Sequence, residues 1–215
     1  MAIQAHRLPL PFRKNIRMNM YKKITLLSAL LCTAVQYASQ VTPWLEIKPS
    51  YFFFSSSPMN DIYHHGGFEI QASASAPLCD HLDFYGSVGY RKARGHALNT
   101  CEKTSLSVVP IDIGLKPFFS FCECAYYFFA IGPRFFSFNQ HNSSPYVDCI
   151  VNGGGVGLFI NTGFNVALAE CLLLGIFGEY SYEKKTICSS RPNVYSNGSV
   201  QIGGLAFGVS VGYAF

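Results

Sequence analysis

Residues Ser199 to Phe215 constrain this chain more than any other stretch, because they alternate with period two and carry no charge. Leu205, Phe207, Val209, Val211, Tyr213 and Phe215 fall on one face of an extended strand, and Gly204, Ala206, Gly208, Ser210, Gly212 and Ala214 on the other. Successive side chains of a strand point to opposite faces, so one face is bulky and apolar while the other is nearly bare. A sheet in water would put the bulky face in a core and place charge on the other. Neither face here offers charge. Such a strand suits the wall of a closed barrel in lipid, with small residues in a crowded lumen and aromatics at the membrane boundary.

Seven earlier segments share the rhythm. Strands are expected over Trp44 to Phe54, Phe68 to Ala76, Leu82 to Arg91, Ser105 to Pro117, Cys124 to Phe138, Gly155 to Val166 and Leu172 to Glu183. Phe68, Ile70, Ala72, Ala74 and Ala76 against Glu69, Gln71, Ser73 and Ser75 is the cleanest split. Pro110 is expected to break its ladder locally. Each segment approaches or exceeds the roughly 9–11 residues that a tilted membrane strand needs. Connections after the second, fourth and sixth segments are short; those after the first, third, fifth and seventh are longer and polar. The fold class expected is therefore all-β, an eight-stranded antiparallel up-and-down transmembrane β-barrel with both ends on the short-turn side.

The formal charge of +4 is not a nucleic-acid signal. Six of the sixteen basic residues, Arg7, Arg13, Lys14, Arg17, Lys22 and Lys23, precede residue 24; the ten others face twelve acidic residues, a balance near −2. No basic patch for nucleic acid remains. Lys22-Lys23 and the apolar run Ile24 to Val35 read as the start of a signal peptide, with Ala38 and Ser39 as small residues for cleavage. The run is too short for a membrane anchor, which needs roughly 20 apolar residues. Met18 or Met20 is a better start than Met1 for such a signal. Residues 1–39 are thus expected to be an N-terminal extension and cleaved signal peptide, and 40–215 a single barrel domain.

A soluble lipocalin-type barrel is the rival architecture. Its interior, only just wide enough for side chains or one small ligand, would be overfilled by the bulky faces of eight strands. With the bulky faces outward, Glu46, Lys48, Glu69, Asp83, Arg91, Asp112, Lys116, Arg134, Glu179 and Glu183 share the lumen. Charges there must pair or stay hydrated. They read either as a plug of charged pairs or as a gated path for small solutes, and the narrow bore of eight strands favours the plug.

No catalytic constellation or cofactor motif is present. His64, His65, His96 and His141 fall in expected external loops, and a zinc site would require three or four ligands to converge. The Gly153 to Gly157 run lacks the Lys-Ser/Thr of a phosphate loop and reads as a flexible approach to a strand. Cysteines are the most individual feature. Cys79, Cys122, Cys124 and Cys171 map to short turns, and Cys101, Cys149 and Cys188 to long loops. In an oxidising compartment these are disulfide candidates. The two sets lie a membrane apart and cannot pair across it. Zinc at the turns is the alternative, although Cys122-x-Cys124 is tighter than the usual spacing.

With its export signal, eight alternating segments, loop asymmetry and Tyr213-Ala214-Phe215 ending, the chain resembles the small eight-stranded outer-membrane proteins of the OmpA-transmembrane-domain, OmpX and OmpW kind. Val109-Pro110-Ile111-Asp112-Ile113-Gly114-Leu115 is similar to the OmpW-like branch. The resemblance implies a bacterial outer-membrane location, outer-membrane lipid as surroundings, and Tyr213 and Phe215 as the signal read by the barrel-assembly machinery. It implies a structural or surface-interaction role, with a narrow channel for small or hydrophobic solutes as the alternative and a lipid-modifying enzyme further off. A disulfide-linked envelope protein or a host surface is the expected partner.

Overall fold

The computed structural model describes residues 43–96, 102–122, 124–143, 150–169, 171–187 and 198–214, all within one compact unit, Thr42–Phe215. Its elements are β1 (Trp44–Phe54), helix α1 (Ser57–Ile62), β2 (Gly67–Cys79), β3 (Leu82–His96), β4 (Lys103–Cys122), β5 (Ala125–Asn142), β6 (Ile150–Ala169), β7 (Leu172–Tyr182), β8 (Lys184–Ile187), β9 (Gly198–Gln201) and β10 (Gly204–Ala214). Eight of the strands close a barrel in the order β1-β10-β7-β6-β5-β4-β3-β2, every neighbour antiparallel. This is the all-β, eight-stranded up-and-down barrel that the period-two segments lead one to expect. Closure leaves no unpaired edge, which a bilayer demands of any spanning sheet.

The alternation sets which side faces out. Leu205, Phe207, Val209, Val211 and Tyr213 lie on the outer wall, Phe207 being 56% and Val209 51% exposed, while Ala206 and Ser210 are buried. Leu45, Ile47, Phe68, Ile70, Val88, Ile111, Ile113, Leu158, Leu174 and Ile176 extend the same apolar band around the cylinder. In water such a surface would incur roughly 25 cal/mol for every Å² left exposed. Hydrocarbon removes that penalty.

Prolines sit where the ladder can spare a donor. The β3–β4 register passes from Val88↔Ile111 to Arg91↔Val108 around Pro110. The β1–β10 register likewise passes from Ile47↔Val211 to Ser50↔Gly208 around Pro49. Neither gap changes the register, so Pro110 interrupts pairing without displacing the strand. Irregularities that do shift it lie at Pro77/Cys79, Ser120/Cys122 and Ala167/Ala169. All three lead into the short turns, where a bulge tightens the twist.

Three features depart from the sequence reading. Strands β3 to β6 run past the apolar band at the long-loop end, because their hairpins continue to pair above it with polar outward residues such as Lys92, Arg94 and Ser105. Gln201 and its predecessors belong to the β8–β9 ribbon, so the terminal barrel strand begins at Gly204, not Ser199. Within the first long connection, expected to be irregular, Ser57–Ile62 is helical, with Pro at the first turn where no N–H is needed. Gly66 then turns the chain into β2 at φ +66, and a Cβ there would lie 1.9 Å from the Phe52 carbonyl oxygen.

Candidate functional site

Along β1 the inward positions Glu46, Lys48, Ser50, Phe52 and Phe54 climb the lumen from the short-turn end to the long-loop end. They pass through two zones, first ionic, then aromatic. All ten charges assigned inward from the sequence, Glu46, Lys48, Glu69, Asp83, Arg91, Asp112, Lys116, Arg134, Glu179 and Glu183, are buried.

Near the short turns, Lys116 Nζ donates to Glu46 Oε1 at 2.8 Å and to Ser75 Oγ at 3.3 Å, and Lys48 Nζ lies 3.4 Å from Glu46 Oε2. Lys48 is also ringed by aromatics, its Nζ 5.1 Å from the Tyr85 centroid, 5.3 Å from Phe128 and 5.1 Å from Phe177. An ammonium over ring faces regains part of the solvation that burial removes. Asp83 lies opposite Lys116 in the β3–β4 ladder and makes no ion pair among the described residues.

A larger network centres on Arg134. Its Nε donates to Asp112 Oδ1 at 2.6 Å, Nη2 to Asp112 Oδ2 at 2.7 Å and Glu179 Oε1 at 2.5 Å, and Nη1 to Glu183 Oε1 at 3.2 Å. Arg91 meets Glu69 through Nε and Nη2, both at 3.2 Å, and Glu183 at 3.4 Å. Neutral donors fill remaining acceptor positions: Ser87 on Asp112 at 2.7 Å, Gln71 on Glu69 at 3.0 Å, and Asn161 on Glu179 at 3.1 Å. The planar forks of two arginines, on β3 and β5, thus link four carboxylates: Glu69 on β2, Asp112 on β4, Glu179 on β7 and Glu183 just after it.

Above them is a cluster that sequence reasoning missed. Phe52, Phe54, Met59, Tyr63, Ala93, Leu106, Val108, Phe136, Phe138, Ile202 and Ala206 form one buried apolar cluster. Two of its members, Met59 and Tyr63, come from α1 and the residues after it. The Arg91 guanidinium carbon lies 3.5 Å from the Phe52 ring centroid and joins the zones. Tyr63 Oη and Thr104 Oγ1 are 3.4 Å apart, and burial pushes the Tyr63 hydroxyl up while that hydrogen bond opposes it. Parity held the signal: Phe52 and Phe54 share the inward phase of Glu46 and Lys48. The glycine-rich run has its role here, since a Cβ at Gly153 would meet the Phe138 ring at 2.5 Å and one at Gly155 the Phe136 ring at 2.9 Å.

Cys79 and Cys122 end β2 and β4, Cys124 lies in the following turn, and Cys171 immediately precedes β7. Cys122 Sγ and Cys124 Sγ are 3.3 Å apart, beyond the S–S bond length of about 2.05 Å. Tyr213 is exposed and pairs with Leu45 and Leu172. Cys101, Cys149, Cys188, Phe215 and the whole N-terminal signal lie outside the described residues. Among the described residues no group of three or more His, Cys, Asp or Glu is arranged to hold a metal ion.

No protein-family model matches the chain, and no curated protein matches it. Solved structures do resemble it. The outer membrane protein OprG from Pseudomonas aeruginosa aligns with TM-score 0.61 at 11% identity, over 81% of this chain and 95% of that one. The outer membrane protein AlkL in lipid bilayers gives 0.57 at 10%, over 81% and 90%. Neisserial surface protein A gives 0.55 at 16%, over 80% and 97%. At such identities the likeness is one of fold. This chain has the fold of the small eight-stranded outer-membrane barrels, as its alternating segments and aromatic ending led one to expect.

Proposed function

We propose that this is an integral protein of the bacterial outer membrane whose lumen is closed and whose long-loop end does its work, as a structural or surface-contact barrel. Residues 1–39 act as extension and export signal in this reading, and Tyr213 and Phe215 mark the chain for barrel assembly. The observation that carries the closed lumen is the stacking of two obstructions. Paired charges bridge the bore at Arg134 and Arg91, and an apolar cluster with Met59 and Tyr63 covers them. A solute would have to break buried ion pairs and then displace close-packed rings, and neither zone leaves room for a hydration shell.

This reading gives the buried carboxylates a structural part: Glu69, Asp112, Glu179 and Glu183 are tied to arginines and Glu46 to lysines. The turn cysteines serve as crosslinks in the oxidising envelope, with Cys122 and Cys124 close enough for a small movement to join them or for both to face another protein. Planar-bilayer conductance tests the central claim. Rare or absent openings are expected; steady unitary currents at low protein concentration would replace this reading with a narrow channel for small or hydrophobic solutes.

A further inference from the structure

At the long-loop end the β3, β4 and β5 hairpins rise above the apolar band, and their outward positions turn basic. Cross-strand register places Arg94 opposite Ser105 and Ser105 opposite His141, with His96 opposite Lys103. Directly opposed residues have Cβ atoms about 4.5–5.5 Å apart, so these side chains form one patch. The chain after α1 folds over the same rim. Gly95 allows the approach, since a Cβ there would lie 1.9 Å from the Ile62 carbonyl oxygen. Tyr51 holds that segment by donating its hydroxyl to the His65 carbonyl. A cavity of about 530 Å³ results, whose walls include His64, His65, Arg94, His96, Lys103 and His141.

Its composition is one-sided. Among the described residues no aspartate or glutamate lines it, and Glu102, adjacent in sequence to Lys103, is not in its wall. Arg94 and Lys103 make no ion pair among the described residues, whereas the lumen cations Lys48, Arg91, Lys116 and Arg134 all do. Arg94 and Lys103 are diagonal neighbours on β3 and β4, roughly 7–8 Å apart, and their like charges repel. A ligand of opposite charge would reverse that sign. Guanidinium, ammonium, imidazole N–H and the hydroxyls of Ser105 and Ser143 are donors for the oxygens of a tetrahedral oxyanion. The volume exceeds that of a bare phosphate and falls within the range of small-molecule sites, and every lining residue but Ile62 and Gly95 has a polar or basic side chain, with carbon surface between the polar tips. Those features suit a hydroxyl-rich ring.

We infer that the basic cavity at the rim of β3, β4 and β5 binds a sugar carrying phosphate or sulfate ester groups. The inference rests on the reading that the long-loop end is the contact surface, and gives that surface a ligand class. Phosphorylated sugar reaches the site from the headgroups of surrounding lipid or from soluble glycan.

The experiment uses full-length folded protein in zwitterionic detergent, with inositol hexakisphosphate as soluble probe and myo-inositol as control, followed by calorimetry. A second arm uses phosphatidylcholine nanodiscs with diphosphoryl or dephosphorylated lipid A. Saturable binding of the phosphorylated form in either arm is expected, and the arm that responds identifies the source. Arg94→Ser with Lys103→Ser should weaken it about tenfold or more, since two charge-assisted hydrogen bonds are lost. Lys184→Ser with Lys185→Ser removes the same charge from the β8–β9 ribbon and should leave it unchanged. No binding in either arm, or equal loss in the two double variants, overturns the proposal. Retained heat-modifiable gel mobility shows that each variant is folded. A barrel that conducts yet binds the probe would defeat the closed lumen alone; a silent barrel that ignores both probes would defeat this inference alone.

Discussion

Replacing Arg134 by methionine is the sharpest test of the lumen. The substitution keeps a long apolar stem and removes four hydrogen bonds: two to Asp112 at 2.6 and 2.7 Å, one to Glu179 at 2.5 Å and one to Glu183 at 3.2 Å. Neutral partners soften the loss, since Asp112 keeps Ser87 and Glu179 keeps Asn161. Glu183 keeps Arg91 at 3.4 Å. No cation replaces Arg134, so Asp112 and Glu179 remain buried without a counter-charge. Removing one partner of a buried pair costs about 3–5 kcal/mol, against about 0.2–1 kcal/mol for an exposed one. With an m-value of about 2 kcal/mol/M, the urea midpoint of the folded barrel should fall by roughly 2 M. The assay is the fraction of heat-modifiable, fast-migrating protein against urea, in lipid vesicles, after equilibration from both directions. Adding Asp112→Asn and Glu179→Gln to the Arg134→Met variant should recover part of the loss, because the orphaned charges are then gone. A midpoint within about 0.3 M of wild type would mean that water or open solvent already screens these charges, and the plugged lumen would have to be abandoned.

Other outcomes follow from the same geometry. Val209→Arg puts a cation on the lipid face near the middle of β10 and should destabilise the folded barrel by about 2–4 kcal/mol, measured by the same gel assay; no change would place that face in water or protein. Gly132→Val should prevent assembly, because a Cβ there would lie 2.1 Å from the Ile113 carbonyl oxygen across the β4–β5 ladder, and folded yield after expression reads it. Met59→Asp puts a charge into the apolar cluster over the mouth and should raise the frequency of bilayer openings; a silent variant would show that the ionic zone alone seals the bore. Mild oxidation should lower the intact mass by two hydrogens or give a reductant-sensitive dimer on gels, and Cys122→Ser with Cys124→Ser should reduce either signal.

The legibility of this fold in its sequence has a physical cause. In a barrel the wall is one strand thick, so the inside-outside assignment is local: each residue's parity fixes its face, and no distant packing can overrule it. That is why Glu46, Lys48, Glu69, Arg91, Asp112, Lys116, Arg134, Glu179 and Glu183 could be placed in the lumen from alternation alone. Parity says nothing about which lumen residues meet across the bore. Arg134 and Asp112 are opposed in the β4–β5 ladder, so hairpin register brings them together, but the meeting of Arg134 with Glu179 from β7 and Glu183 just after it depends on strand tilt and stagger, which are properties of closure. Helix α1 was illegible for another reason. Six residues cannot sustain a helix by propensity; Met59 and the following Tyr63 fix it by packing into a mouth that exists only once β1, β3 and β4 are assembled.

The same separation explains how an apolar exterior coexists with an apolar cluster inside. Arg134, Phe52 and Phe136 point inward on their strands, yet Arg134, Asp112 and Glu179 lie behind the outward apolar Ile111, Ile113, Phe135 and Tyr180, while Phe138 and Tyr63 lie nearer the long-loop end. Tyr85, Phe128 and Phe177 already share the ionic level; were the mouth aromatics to displace the carboxylates there, Arg134 and Arg91 would lose their partners. Were the charges to occupy the mouth, water would screen them and their pairing would contribute little. Ionic layer below and aromatic layer above is the order in which low dielectric strengthens the pairs and the rings exclude the water that would weaken them. Exchanging Phe136 and Phe138 for serine should therefore destabilise the Arg134 network without touching it. The double variant's urea midpoint should move toward that of Arg134→Met, and the further loss on adding Arg134→Met should be smaller than in wild type. Strict additivity between the two zones would show that the mouth cluster does not keep water from the pairs beneath it.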